Sequence, residues 1–267
     1  MEGLSLYLLK EFLDNADIYL LVFTRMVAFV LILPVFSGNN LNVWAKLTFS
    51  AAAAFLITAS GKVESAAYVN TAPGFVLLVI QEFLTGFIMG FVIYIAFNLV
   101  LFAGQLLDFQ VGFSMVSVFD PVTQIQVPII GNLFFLTLTA LFVQSGGLHA
   151  FLSALFFSYD ILPIGKAVIV SNPALIKLVL ELTMSFITAA VQAALPISGA
   201  ILIVDIAMGL LVKAAPQMNV FVVGMPIKLL AGLALLYFIT PFLSNVYRTV
   251  FDMAYAAMVS ALKGLTG

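Results

Sequence analysis

Four ionisable side chains lie inside long apolar runs of this 267-residue sequence: Arg25, Glu82, Glu181 and Asp205. A charge in hydrocarbon is costly unless it is paired, hydrated or used, so such positions are functional or paired by default. Two chemistries fit. Either the groups form an ion or proton path, or each finds a partner on a neighbouring helix or subunit. Their isolation along the chain favours pairing, because a relay needs several groups within reach of one another. Lys177 and Glu181 stand one helical turn apart and can pair locally.

Hydrolytic chemistry fails on inventory. His149 is the single histidine, and no His-Glu-x-x-His zinc motif exists. Ser114 in GFSM lacks a nucleophile-elbow frame, because Val116 stands where that motif needs glycine. There is no cysteine, which removes disulfides and thiolate metal sites, and no glycine-rich phosphate loop. His149 follows Gly146 and Gly147 and reads as a helix-start or interface residue. The sequence therefore predicts no enzyme, no metal and no cofactor. A net charge of −2 argues against a nucleic-acid partner, which would require a basic patch.

The elements that carry these residues belong to a membrane protein. Hydrophobic residues make up 64% and charged residues 8% of the chain, with a mean hydropathy of +1.22. A soluble domain carries about a quarter charged residues to solvate its surface. Here lipid or protein partners must cover much of the exterior. The start, MEGLSLYLLKEFLDNAD, lacks the basic region and cleavage site of a signal peptide. Its Leu4, Leu8, Leu9, Phe12 and Leu13 suit a retained amphipathic helix at an interface.

Six or seven hydrophobic helical segments and no separate soluble domain are expected. The first spanning candidate runs from Ile18 to Phe36 and contains Arg25 and Pro34; the second runs from Val43 to Ser60. A third, from Phe75 to Phe102, exceeds a perpendicular span, and its Gly86 and Gly90 form a GxxxG pair that admits another backbone. Pro128 to Gln144 follows, then GGLHAFLSALFFSYDILPIG, an amphipathic segment with Leu148, Leu152, Leu155 and Phe156 on one face. Ala174 to Val212 is about two spans long and is expected to break near Pro196, Ser198 and Gly199. The connection KAAPQMNVFVVGMPIK leads to a last run, Leu229 to Val246, and a helical tail. Ten basic residues spread evenly give no orientation by the positive-inside rule.

The segment Ala103 to Val127 contains no Lys or Arg, and its ionisable residues are Asp108 and Asp120. Within it, Phe113, Met115, Val116, Val118 and Phe119 form an apolar cluster, interspersed with Ser114, Ser117 and Asp120 and bracketed by the turn-permitting Gly112 and the turn-fixing Pro121. Non-helical backbone at membrane depth survives where protein or a water-filled cavity satisfies it. This re-entrant-type loop either seals a lumen, as hydrophobic constrictions do by dewetting, or packs between helices. A stand-alone secondary transporter or ion channel with broken helices fits the broken runs, although no matching internal repeat supports it.

AGQLLDFQVGFSMVSVFDP, GGLHAFLSALFFSYDILPIG, KAAPQMNVFVVGMPIK and RMVAFVLILPVFSGNNLNVWAK together resemble the FliR family of flagellar type III export-gate membrane proteins. The likeness covers nearly the whole chain in the right order. It implies an all-α subunit of the bacterial inner membrane, at the flagellar basal body, assembled with FliP, FliQ and FlhB-type subunits. Unfolded flagellar export substrates would pass through the pore these subunits form. It further implies a FliP-like part over residues 1–170, a FliQ-like helical hairpin over 171–267, and a pore plug at Gly112–Pro121. Gly86, Gly90, Arg25, Glu82, Pro196, Pro216 and Asn219 become helix-packing or partner-packing positions, with Arg25 and Glu82 facing partner subunits or a polar layer. The corresponding T subunit of virulence type III secretion systems shares this architecture and is the nearest alternative.

Overall fold

The computed structural model describes residues 16–36, 42–61, 63, 72–113, 128–167, 173–217 and 219–266. Among them are seven α-helices, one short 3-10 turn and no strand. The amphipathic N-terminal segment and residues 114–121 of the loop lie outside the described residues.

Helix α1 spans Ala16–Ile32. It stops short of the expected Phe36 because Pro34 disfavours helical geometry at Leu33, and a 3-10 turn takes over at Pro34–Phe36. At 17 residues it reaches about 26 Å, less than the roughly 30 Å of hydrocarbon. Helix α2, Val43–Ala59, begins where the Asn42 side chain accepts the Trp44 N–H at 3.2 Å. Helix α3, Ala72–Val111, is longer than expected at 40 residues, about 60 Å of continuous helix. It ends at Gly112, whose φ of +98° is one that other residues rarely adopt.

Helices α4 (Ile129–Gln144) and α5 (Gly147–Ile161) meet at Gly146 with a 68° bend. The buried face of α5 is Phe151, Ala154, Leu155, Ser158 and Tyr159. That is rotated from the expected face: Leu155 is shared, while Phe156 points outward. Periodicity alone followed the leucines, whereas the inward turn follows Ser158 and Tyr159, which have polar partners described below.

Helix α6, Pro173–Ala214, passes through Pro196 without interruption, so the expected break there is absent. Proline removes one N–H bond, but unwinding an apolar helix would strand several backbone groups with no water to receive them. The chain reverses instead around Ala215–Gln217, and α7 already begins at Val220, so VFVVGMPIK is helix rather than connection. Pro216 sits in that turn. The Asn219 carbonyl accepts the N–H groups of Val222 and Val223 at 3.1 and 3.3 Å. Helix α7, Val220–Leu265, carries Pro226 and Pro241 internally and includes the predicted helical tail.

Three described helices are long and apolar enough to cross a membrane: α3, residues 179–214 of α6, and residues 222–241 of α7. The bent α4–α5 pair is a fourth if it counts as one broken span.

The chain divides into two compact units interleaved in sequence. The first comprises residues 1–94, 146–182 and 254–267. In it Tyr19 donates to the Ala51 carbonyl at 3.2 Å, tying α1 to α2, and Phe151 packs edge-on against Tyr255, tying α5 to the end of α7. The second comprises residues 95–145 and 183–253. Its core is an aromatic cluster in which Phe142 lies 5.5 Å from Phe97 and 5.3 Å from Phe251, both edge-on, the geometry ring quadrupoles favour.

Candidate functional site

Within the first unit, Arg25 of α1 and Glu82 of α3 meet at 2.6 Å, and both side chains are fully buried. Two glycines make this approach possible. A Cβ on Gly86 would collide with the Arg25 carbonyl, and one on Gly90 would lie 3.0 Å from the Phe29 carbonyl. The backbone that lies against the GxxxG pair is therefore α1, and its closeness lets Arg25 reach the acid one turn before Gly86.

The rest of the guanidinium is taken up by α5 and the chain just beyond it. Nη1 donates to Ser158 Oγ at 3.0 Å and Nη2 to the Leu162 carbonyl at 3.1 Å. The group also stacks 4.2 Å above the Tyr159 ring centroid, a favourable cation–π placement. The second Glu82 oxygen accepts the Gly165 N–H at 3.3 Å. Ser158 Oγ donates to the Leu155 carbonyl at 2.6 Å, and Tyr159 donates to the Val22 carbonyl at 3.4 Å. Each carboxylate oxygen and each branch of the guanidinium has a partner inside one chain. Such a network can hold three elements in one register.

The structure therefore turns Arg25 and Glu82 toward each other and not toward a partner subunit or polar layer. The other two acids of the apolar runs do not join them. Asp205 of α6 pairs with Lys228 of α7 at 2.7 Å, half-exposed, and Glu181 lies 3.7 Å from Lys177 on the surface of α6. His149 is exposed in the first turn of α5. Among the described residues no three His, Cys, Asp or Glu side chains gather as a metal site.

A second buried acid, Asp108, receives no role from sequence reasoning beyond its place in the linker. It is 2% exposed, near the end of α3, and caps α4 in the second unit. Its signal was present: between Glu82 and Asp120 it is the one charged residue in the sequence. Ser158, Tyr159 and the Leu162 carbonyl were also missed, since nothing local marks them as arginine ligands. Of the loop Gly112–Pro121, Gly112 and Phe113 are described, closing α3, and the remainder lies outside the described residues.

Comparison with known proteins places this architecture. A family model described as bacterial export proteins, family 1, matches residues 16–254, from the start of α1 nearly to the end of α7. The chain belongs to that family. Among its relatives is the flagellar biosynthetic protein FliR of Bacillus subtilis, 29% identical over 95% of this chain and 98% of the relative. FliR of Escherichia coli is 27% identical over 91% and 94%. The Yop proteins translocation protein T of Yersinia pestis is 30% identical over 87% and 89%. The match to this export family contains both buried networks, Arg25–Glu82 and Asp108–α4.

Proposed function

We propose that this chain is a membrane subunit of the bacterial flagellar type III export apparatus. In this reading it assembles with FliP, FliQ and FlhB-type subunits in the inner membrane at the flagellar basal body. The observation that carries it is the family match over residues 16–254, joined by relatives named for flagellar biosynthesis that align over nearly their full length.

The helices support a partnered existence. The most apolar windows of α6 and α7 are each only 17% buried inside the chain, so lipid or other subunits must cover the rest. The role is conduction and sealing, not catalysis. Residues 1–170 act as a FliP-like part and 171–267 as a FliQ-like hairpin. Gly112–Pro121 packs Phe and Met side chains across the lumen at rest and moves aside for unfolded flagellar proteins.

Replacing Phe113, Met115 and Phe119 together by Gly is expected to make the assembled gate leak sodium or small dyes. Assembly is verified by co-purification of FliP and FliQ. A tight complex that exports normally would remove the seal from this loop.

The virulence branch is the second reading, favoured by the 30% identity to the Yersinia protein. Rescue of motility in a strain lacking its own FliR, without rescue of effector secretion in a strain lacking the T subunit, would assign the chain to the flagellar branch.

A further inference from the structure

Asp108 holds together two places that are 22 residues apart in sequence. Its Oδ1 accepts the Ile130 N–H at 2.9 Å and its Oδ2 accepts the Gly131 N–H at 3.1 Å. These donors belong to the first turn of α4, whose opening N–H groups have no acceptor within their own helix. The residue in the usual capping position is Pro128, which makes no side-chain cap bond. The cap of α4 is thus supplied by another helix, and a carboxylate suits the positive end of a helix dipole.

Backbone contact sets the reach. A Cβ on Gly104 would collide with the backbone of Gly131, and one on Gly131 would lie 3.0 Å from the Leu101 carbonyl. On its other side the end of α3 is seated in α7: a Cβ on Gly232 would stand 2.6 Å from a Val111 methyl. Val111 is fully buried, and the next residue is Gly112, where the chain leaves the helix. The exit at Gly112 and the return at Pro128 are therefore borne on one clamped frame of α3, α4 and α7.

We propose that Asp108 is a positioning residue that fixes the two stems of the segment between Gly112 and Pro128 by clasping the first N–H groups of α4. Its functional consequence rests on the reading of Gly112–Pro121 as the pore seal; the clasp does not. With Asp108 in place the segment is presented from a fixed base. Without it the start of α4 loses its acceptors and the stems separate.

The chain has no cysteine, so Phe109→Cys and Leu133→Cys, both on exposed side chains, provide unique sites for a pair of nitroxide labels. The inter-label distance distribution is measured in the complete gate, purified with its partners, for native Asp108, Asp108→Asn and Asp108→Leu. Asn keeps one acceptor and Leu keeps none. The population outside the native distance is expected to rise about fivefold or more in Asp108→Leu, the scale of a lost cap, and to an intermediate degree in Asp108→Asn. If the Leu complex does not assemble, the Asn complex carries the measurement. Unchanged distributions in the assembled variants overturn the clasp, whether or not they leak. Separated stems with new ion leakage support both clasp and seal. Separated stems in a complex that stays tight retain the clasp and overturn the seal.

Discussion

Arg25 and Glu82 show how a buried charge is tolerated when each guanidinium nitrogen and each carboxylate oxygen has a partner. Removing one partner leaves the other uncompensated, and Glu82→Leu or Arg25→Met alone is expected to cost about 3–5 kcal/mol. The double variant, Arg25→Met with Glu82→Leu, should recover most of that loss, because an apolar pair of similar volume can replace a buried ion pair. Thermal unfolding of the purified complex reads both. A recovery of less than half would show that Ser158, Tyr159 and the Leu162 carbonyl depend on the charge itself. Tyr247 gives the opposite case. Burial pushes its phenol well above the usual range, and its hydroxyl has no hydrogen-bond partner among the described residues. Tyr247→Phe is therefore expected to be neutral or mildly stabilising in the same assay, since it removes an unsatisfied group while keeping the ring.

Helices in this chain are set by glycine and proline in ways that spacing alone does not disclose. Gly86 lies against the Arg25 backbone, whereas a Cβ on Gly199 of α6 would meet nothing within 4 Å. Gly86→Ala is expected to destabilise by about 1–3 kcal/mol through overpacking, while Gly199→Ala gains roughly 0.5–1 kcal/mol of helix propensity. Opposite shifts in unfolding temperature would bear this out, and shifts of one sign would sink it. Pro196 occupies the interior of an intact α6. Pro196→Ala should leave assembly and export unchanged, because no turn depends on it. Loss of export in a fully assembled Pro196→Ala gate would restore a hinge at that position. The GxxxG spacing was legible as a contact site. That α1 fills it, and that the reversal falls at Pro216 and not Pro196, was not, because both depend on which partner is available.

At the scale of the molecule, the dominant fact is uncovered apolar surface. On α6 and α7 Ile203, Leu210, Leu230, Tyr237 and Phe238 are each more than 60% exposed. Patches of this kind mark contacts with lipid or other subunits. Expressed alone and extracted in detergent, the chain is expected to be polydisperse; co-expressed with FliP and FliQ it should elute as one species by size exclusion. A stable, monodisperse lone chain would favour the stand-alone transporter. The two compact units are each assembled from separated stretches, so neither is legible as a continuous domain.

By itself the sequence determined the all-helical membrane class, the family, and that Arg25 and Glu82 had to be either paired or functional. Those follow from composition, from ordered motifs and from the cost of charge in hydrocarbon, and none needs a neighbour's coordinates. Only the tertiary structure decided that the two residues answer each other, that α5 turns Ser158 and Tyr159 inward to complete them, and that Asp108 caps a helix 22 residues away. A polar group in an apolar interior must find an acceptor or donor, but sequence does not say which of the distant candidates comes within 3 Å; helix packing does.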